Sequence, residues 1–117
     1  LVAASAMNCV TRQPFGAVRE DPDTRALLRR LMEEVMSVGN AKGIPLTNEN
    51  IETRLDYIDS LPGQAKVSMA LDLERGNRLE LPWLSGAVVR MGQELDVPTP
   101  ANDIMCAALK HYIMGRD

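Results

Sequence analysis

Asn8 is a polar amide inside an otherwise apolar run, Leu1 to Val10. An amide buried without partners costs ~1–3 kcal/mol, so Asn8 needs a partner, and two kinds are open: a group on a neighbouring helix, or a bound ligand. Ser68 opens the stretch Ser68-Met69-Ala70-Leu71-Asp72, where a helical hydroxyl can lie on the surface or bind a small carboxylate without reacting with it. A nucleophilic role would need a base, and nothing pairs Ser68 with the single histidine, His111. Glu80 stands between Leu79 and Leu81, so its carboxylate needs a cation or hydrogen-bond donors to stay ionised. It can face a cleft or pair with Arg75, Arg78 or Arg90. Asn102, in Thr99-Pro100-Ala101-Asn102, reads as part of a helix cap. His111 with Lys110 suits the negative end of a helix.

Cys9 and Cys106 are too few and too far apart for a zinc pattern or a CxxC redox motif. They read as buried thiols in a reducing cytosol, and a cytoplasmic location is expected. No cluster of carboxylates and imidazoles suggests a metal.

The elements that position these residues follow from apolar spacing. Leu1 to Val10 is apolar on nearly every side, the pattern of a helix surrounded by neighbours. It is about half the length of a membrane span and lacks the basic flank of a signal peptide. Gln13-Pro14-Phe15-Gly16 reads as a break, after which Asp21 caps a second helix with Pro22 first and Leu27, Leu28, Leu31, Val35 and Val38 inward. Gly43 is placed to end it. Thr47 caps a third helix carrying Ile51, Leu55, Ile58 and Leu61, stopped by Pro62-Gly63. A shorter helix is expected from Gln64 to Glu74. Pro82 starts another, with Leu84, Ala87, Val88, Met91 and Leu95 as its core stripe. Thr99 caps the last, with Ile104, Met105, Ala108, Leu109, Tyr112 and Ile113 inward.

No useful stretch alternates apolar and polar residues, so the fold class is all-α, a multi-helix bundle. Aromatic residues make up only 3%, so aliphatic side chains must fill the core, as packed helices allow. The 117 residues suit one domain with no room for a second. With a net charge of −3 and interleaved signs, no nucleic-acid footprint is visible. Arg29-Arg30 reads as a solvated helix flank. Trp83 is expected as a core or interface anchor.

The stretch from Ser68-Met69-Ala70-Leu71-Asp72-Leu73-Glu74-Arg75-Gly76 through Arg78, Glu80 and Gly86-Ala87-Val88-Val89 to Pro98-Thr99-Pro100-Ala101-Asn102 resembles the C-terminal domain of the ketopantoate (2-dehydropantoate) reductase family. The family pattern runs from a Ser-Met-x-x-Asp-x-x-x-Gly turn through a glutamate to an Asn-Gly-x-x-Val helix and a Thr-Pro-x-Asn helix start. The resemblance implies residues 1–117 as a substrate-binding helical domain with the 6-phosphogluconate dehydrogenase C-terminal-domain-like fold. It also implies a separate N-terminal dinucleotide-binding (Rossmann) domain carrying NADP, which is absent from these residues. The activity implied is NADPH-dependent reduction of the 2-oxo acid 2-dehydropantoate to pantoate, on the route to pantothenate and coenzyme A.

Family members carry a Lys-x-x-x-Asn-x-x-x-Asn series on the first helix, the lysine giving the proton and the asparagines lining the substrate pocket. Here Asn8 takes the last position and Ala4 the middle one, while the lysine is expected just before Leu1. By resemblance Asn8 and Ser68 bind substrate and Glu80 contacts the cofactor or orients the lysine. No catalytic residue is then present in the chain, and these residues alone are expected to show no turnover. Ala4 and Ser85 depart from the pattern, where the family has asparagine. They keep open a related reductase of a different 2-oxo acid, or a non-catalytic helical module for homodimer formation or partner binding.

Overall fold

The computed structural model describes residues 2–77, 79 and 85–115, with Val2 and Ser68 described by backbone alone. At its centre is α1 (Val2–Thr11), in which every residue from Ala3 to Cys9 is buried. Four of those seven are alanine or serine, and such short side chains let α2, α3, α5, α6 and α7 all reach this one helix. The expectation of a helix with neighbours on nearly all faces holds.

The supposed break at residues 13–16 is instead the start of a short helix, α2 (Phe15–Glu20). Six residues are too few to show a periodicity or to be stable alone. Tertiary contacts hold it: Phe15 and Val18 are buried, Phe15 N donates to Ala65 O at 3.0 Å, and Gly16 N to Gly63 O at 2.9 Å. The backbones meet so closely that a Cβ on Gly16 would lie 2.9 Å from Gly63 Cα.

In α3 (Pro22–Ala41), Asp21 Oδ1 accepts from Asp23 N at 2.8 Å and Thr24 N at 3.1 Å, as its cap signature predicts. Gly43 follows with φ +91°, a conformation glycine adopts without a Cβ clash. In α4 (Asn48–Ser60), Asn50 Oδ1 accepts from Thr47 N at 2.8 Å, and Ile51, Leu55 and Ile58 are buried. The end of α4 is tied down from α2, where Arg19 donates to Ile58 O at 2.9 Å and Leu61 O at 2.6 Å.

The next helix, α5 (Ser68–Arg75), starts later than Gln64. The backbone before it has other partners: Gly63 O and Ala65 O accept from α2, and Val67 N donates to Asn8 Oδ1. Gly76, at φ +73°, ends the helix. The expected helix start at Pro82, with Leu84 and Trp83, lies outside the described residues, as does Arg78.

The remaining helices are α6 (Ser85–Leu95) and α7 (Pro100–Leu109), closed by a 3-10 turn at Lys110–Tyr112. They pack on each other, and both touch α1 and α3. The inward stripes are narrower than the apolar spacing predicts. Leu95, Ile104, Ala108 and Tyr112 are exposed, whereas Ala101, Met105 and Leu109, one turn apart, are buried. With neighbours on one side only, α7 needs a narrow apolar face.

Thr99 stands at the N-cap position of α7 as expected, but its hydroxyl bonds Asp103 Oδ1 at 3.0 Å and caps no backbone N–H. Glu34 reaches across from α3 instead. Its Oε2 accepts from Ala101 N at 2.7 Å, and its Oε1 accepts from Asn102 N and Asn102 Nδ2, both at 2.8 Å. Asn102 thus joins the cap as a donor. Among the described residues there is no strand, so the all-α expectation is borne out.

Candidate substrate-side site

Helical spacing puts Ala4 and Asn8 on one face of α1, a turn apart. The buried Asn8 amide bridges two loops: Nδ2 donates to Gln13 O at 3.0 Å and Oδ1 accepts from Val67 N at 3.0 Å. Of the two kinds of partner open to it, both of these are internal. One N–H of the amide and one lone pair of its oxygen remain beyond these two bonds.

Val67 is the residue immediately before α5, so the Asn8 bond fixes where Ser68 begins that helix. Asn8 and the Ser68 backbone are thereby brought together although they are far apart in sequence. The Ser68 side chain and Glu80 lie outside the described residues.

Beside this junction is a cavity of about 420 Å³. Ala4 lies on its α1 wall, Met32 comes from α3, Tyr57, Ile58 and Leu61 come from α4 and its end, and Phe15, Ala65 and Val67 complete the apolar lining. Its charged members are Arg54 and Lys66. Lys66 is ion-paired with Glu74, whereas Arg54 makes no hydrogen bond or ion pair with the described residues. Met32 and Arg54 also border a second cavity of about 270 Å³, walled by Ala3, Val35, Met36, Leu46 and Ile51. No sequence reading singled out Arg54, Tyr57 or Lys66. Each is an ordinary surface residue in one dimension, and only the packing of α4 against α2 and α3, with the segment that follows it, places them around one cavity.

Cys9, next to Asn8, faces the smaller apolar cluster of Met69, Leu73, Leu79 and Leu109. Burial, above all, pushes its thiol up to about 11, against a smaller opposing influence of Arg12. Burial likewise raises Cys106. Such thiols stay protonated at neutral pH and make poor nucleophiles. Among the described residues no group of carboxylate, imidazole and thiol side chains could hold a metal, and no helix is long and apolar enough to cross a membrane. Ser85, at a position where the family pattern has asparagine, is fully buried, and its hydroxyl has no hydrogen-bond partner among the described residues.

The architecture recurs in solved structures. A ketopantoate reductase from Ralstonia eutropha superposes with a TM-score of 0.84 at 31% identity, over 95% of this chain and 37% of that one. A dimeric ketopantoate reductase from Staphylococcus aureus gives 0.90 at 22% identity, over 95% and 39%. The fold is therefore that of an all-helical domain belonging to larger reductase chains.

In sequence, residues 1–113 match the family model for the ketopantoate reductase PanE/ApbA C terminal. The chain belongs to that family. A 2-dehydropantoate 2-reductase from Mesorhizobium japonicum is 31% identical over 110 residues, and one from Caulobacter vibrioides is 30% identical over 110. The match spans 94% of this chain but 33% of the first relative, and 93% but 37% of the second.

Proposed function

We propose that the chain is the substrate-side domain of a cytoplasmic, NADPH-dependent 2-oxo acid reductase, with 2-dehydropantoate reduction in pantothenate and coenzyme A biosynthesis as the reference activity. The family match over residues 1–113 carries this reading. The described residues contain no glycine-rich strand-turn-helix of the kind that cradles a pyrophosphate, so NADP is assigned to a separate N-terminal domain. When bound there, NADPH supplies the hydride.

The domain's own residues hold and orient the acid. Ser68, at the first position of α5, is the serine that the family pattern assigns to the acid, and it stands at a helix start, where the dipole favours negative charge. Asn8 anchors Val67 and so fixes that helix start, and its remaining N–H is the contact it offers to substrate. Glu80 orients the proton-donating lysine, which the family series puts immediately before Leu1, or contacts the cofactor. Homodimer formation belongs to the same reading.

The test is steady-state NADPH oxidation by the full-length polypeptide. Ser68→Ala and Asn8→Ala are expected to raise KM chiefly, by about ten-fold or more, since a hydrogen bond to an ionised group contributes ~1.5–3 kcal/mol. Glu80→Ala is expected to lower kcat as well, because a group that positions the proton donor acts in the transition state. Unchanged constants in all three variants would leave the helices as a non-catalytic dimerisation or interaction module. The internal bonding of the Asn8 amide favours that second reading.

A further inference from the structure

Helix α7 turns one face to the bundle, and its other face does not have the composition of a surface that meets water. The exposed residues of the helix are Pro100, Asp103, Ile104, Ala107 and Ala108, of which one is polar. Helix α4 shows what a solvated face of this chain looks like: its exposed positions are all polar or charged apart from Tyr57. Ile104 is 64% exposed, and Met114, just beyond α7, is 68% exposed. An outward helix face of this kind marks a contact surface.

The order of residues along the face identifies what covers it. Asp103, Ala107 and Lys110 follow one another at helical spacing, and Ile104, Ala107, Ala108 and His111 do so beside them. The charge is therefore polarised, with a carboxylate in the first turn, a cation and an imidazole just past the last, and two alanines between. Asp103 Oδ1 accepts from the Thr99 hydroxyl at 3.0 Å, which fixes the carboxylate at its end of the face. The Lys110 ammonium makes no hydrogen bond or ion pair with the described residues.

A second copy of this face laid antiparallel matches it at both ends. A two-fold axis at Ala107 brings each Asp103 against the Lys110 and His111 end of the other copy, whereas a parallel pairing sets like charges together. Alanine at the axis lets the two helices approach to ~8 Å. Each Ile104 is then buried against the alanines of the other copy and the aliphatic stem of its Lys110.

We propose that the face of α7 from Asp103 to His111 is the surface through which two copies of this chain associate, antiparallel about a two-fold axis at Ala107. The proposal gives a location to the homodimer of the reading above and rests on that part of it.

The test is sedimentation equilibrium of the full-length polypeptide at micromolar concentrations, with circular dichroism to establish that each variant folds. A dimer is expected. Ile104→Glu places one charge from each copy in the dry centre and is expected to raise the dimer dissociation constant by about a hundred-fold or more. The exposure of Ile104 in the single copy means that its folding is not at stake. Lys110→Glu is expected to weaken the dimer by about ten-fold, and adding Asp103→Lys to recover most of that loss, because the charge pair is then only exchanged across the axis. A monomer throughout overturns the proposal; if Ile104→Glu then lowers the melting temperature of the full-length polypeptide, the N-terminal domain is what covers the face. A dimer indifferent to Ile104→Glu overturns the proposal and leaves homodimer formation standing. A double exchange that recovers nothing overturns the antiparallel arrangement. NADPH oxidation reports separately on the reductase reading in every case.

Discussion

Glu34 is the side chain whose removal should be felt most. The residue is 7% exposed, and its carboxylate accepts from Ala101 N, Asn102 N and Asn102 Nδ2. The two backbone groups are among the first-turn donors of α7 that no intrahelical carbonyl can reach. Glu34→Ala strands three donors, at ~1–3 kcal/mol each if they stay dry. Relief from burying a charge, itself worth several kcal/mol, works in the opposite direction. The net expectation is a loss of ~2–4 kcal/mol, a large share of the ~5–15 kcal/mol available to a domain. At ~4 °C per kcal/mol for this chain length, the melting temperature should fall by roughly 8–16 °C. Glu34→Gln keeps an oxygen for the Asn102 donors but turns an NH₂ toward Ala101 N, so about half that loss is expected. Urea and thermal unfolding followed by circular dichroism measure both. If both variants unfold within ~0.5 kcal/mol of the parent, the carboxylate is not the cap of α7, and the reasoning fails.

Other consequences can be checked on the same chain. Gly16→Ala should destabilise by ~1–3 kcal/mol, because its Cβ meets the Gly63 backbone at 2.9 Å. Gly39→Ala should stay within ~1 kcal/mol in the same urea titration, since its Cβ meets only the movable end of Leu46 and helix propensity favours alanine. Cys9, whose thiol is raised from 9.0 to about 11, favours the protonated fold. Its contribution is complete below about pH 9 and lost as pH rises through about 11. The alkaline side of a stability profile should therefore be shallower in Cys9→Ala, and iodoacetamide should label Cys9 in urea but hardly at all in the fold. The 117 residues by themselves are expected to bind NADPH weakly or not at all; micromolar binding by titration calorimetry would contradict the assignment of the cofactor to another domain.

What the sequence by itself determined is what neighbouring residues settle among themselves. Asp21-Pro22 and Thr47 with Asn50 place the starts of α3 and α4, because a cap is a bond between residues two or three apart. The all-round burial of α1 was legible from a run with no polar face, and the need of Asn8 for a partner from its lone amide. Family membership was legible from the Ser68–Asn102 motif.

The tertiary structure decided everything that depends on residues distant in the chain. Asn8 and Val67 are 59 positions apart, and Glu34 and Asn102 are 68 apart. Glu34 did leave a trace, a carboxylate between Leu31 and Val38 on the apolar stripe of α3, but its partner could not be read from that. The short α2 exists because the carbonyls of Gly63 and Ala65 receive its first N–H groups. The cavity beside Ala4 exists because α1, α3 and α4 converge there. Periodicity reports which face of a helix avoids water; which helix then covers that face, and how much space is left between them, depends on how all the helices pack at once.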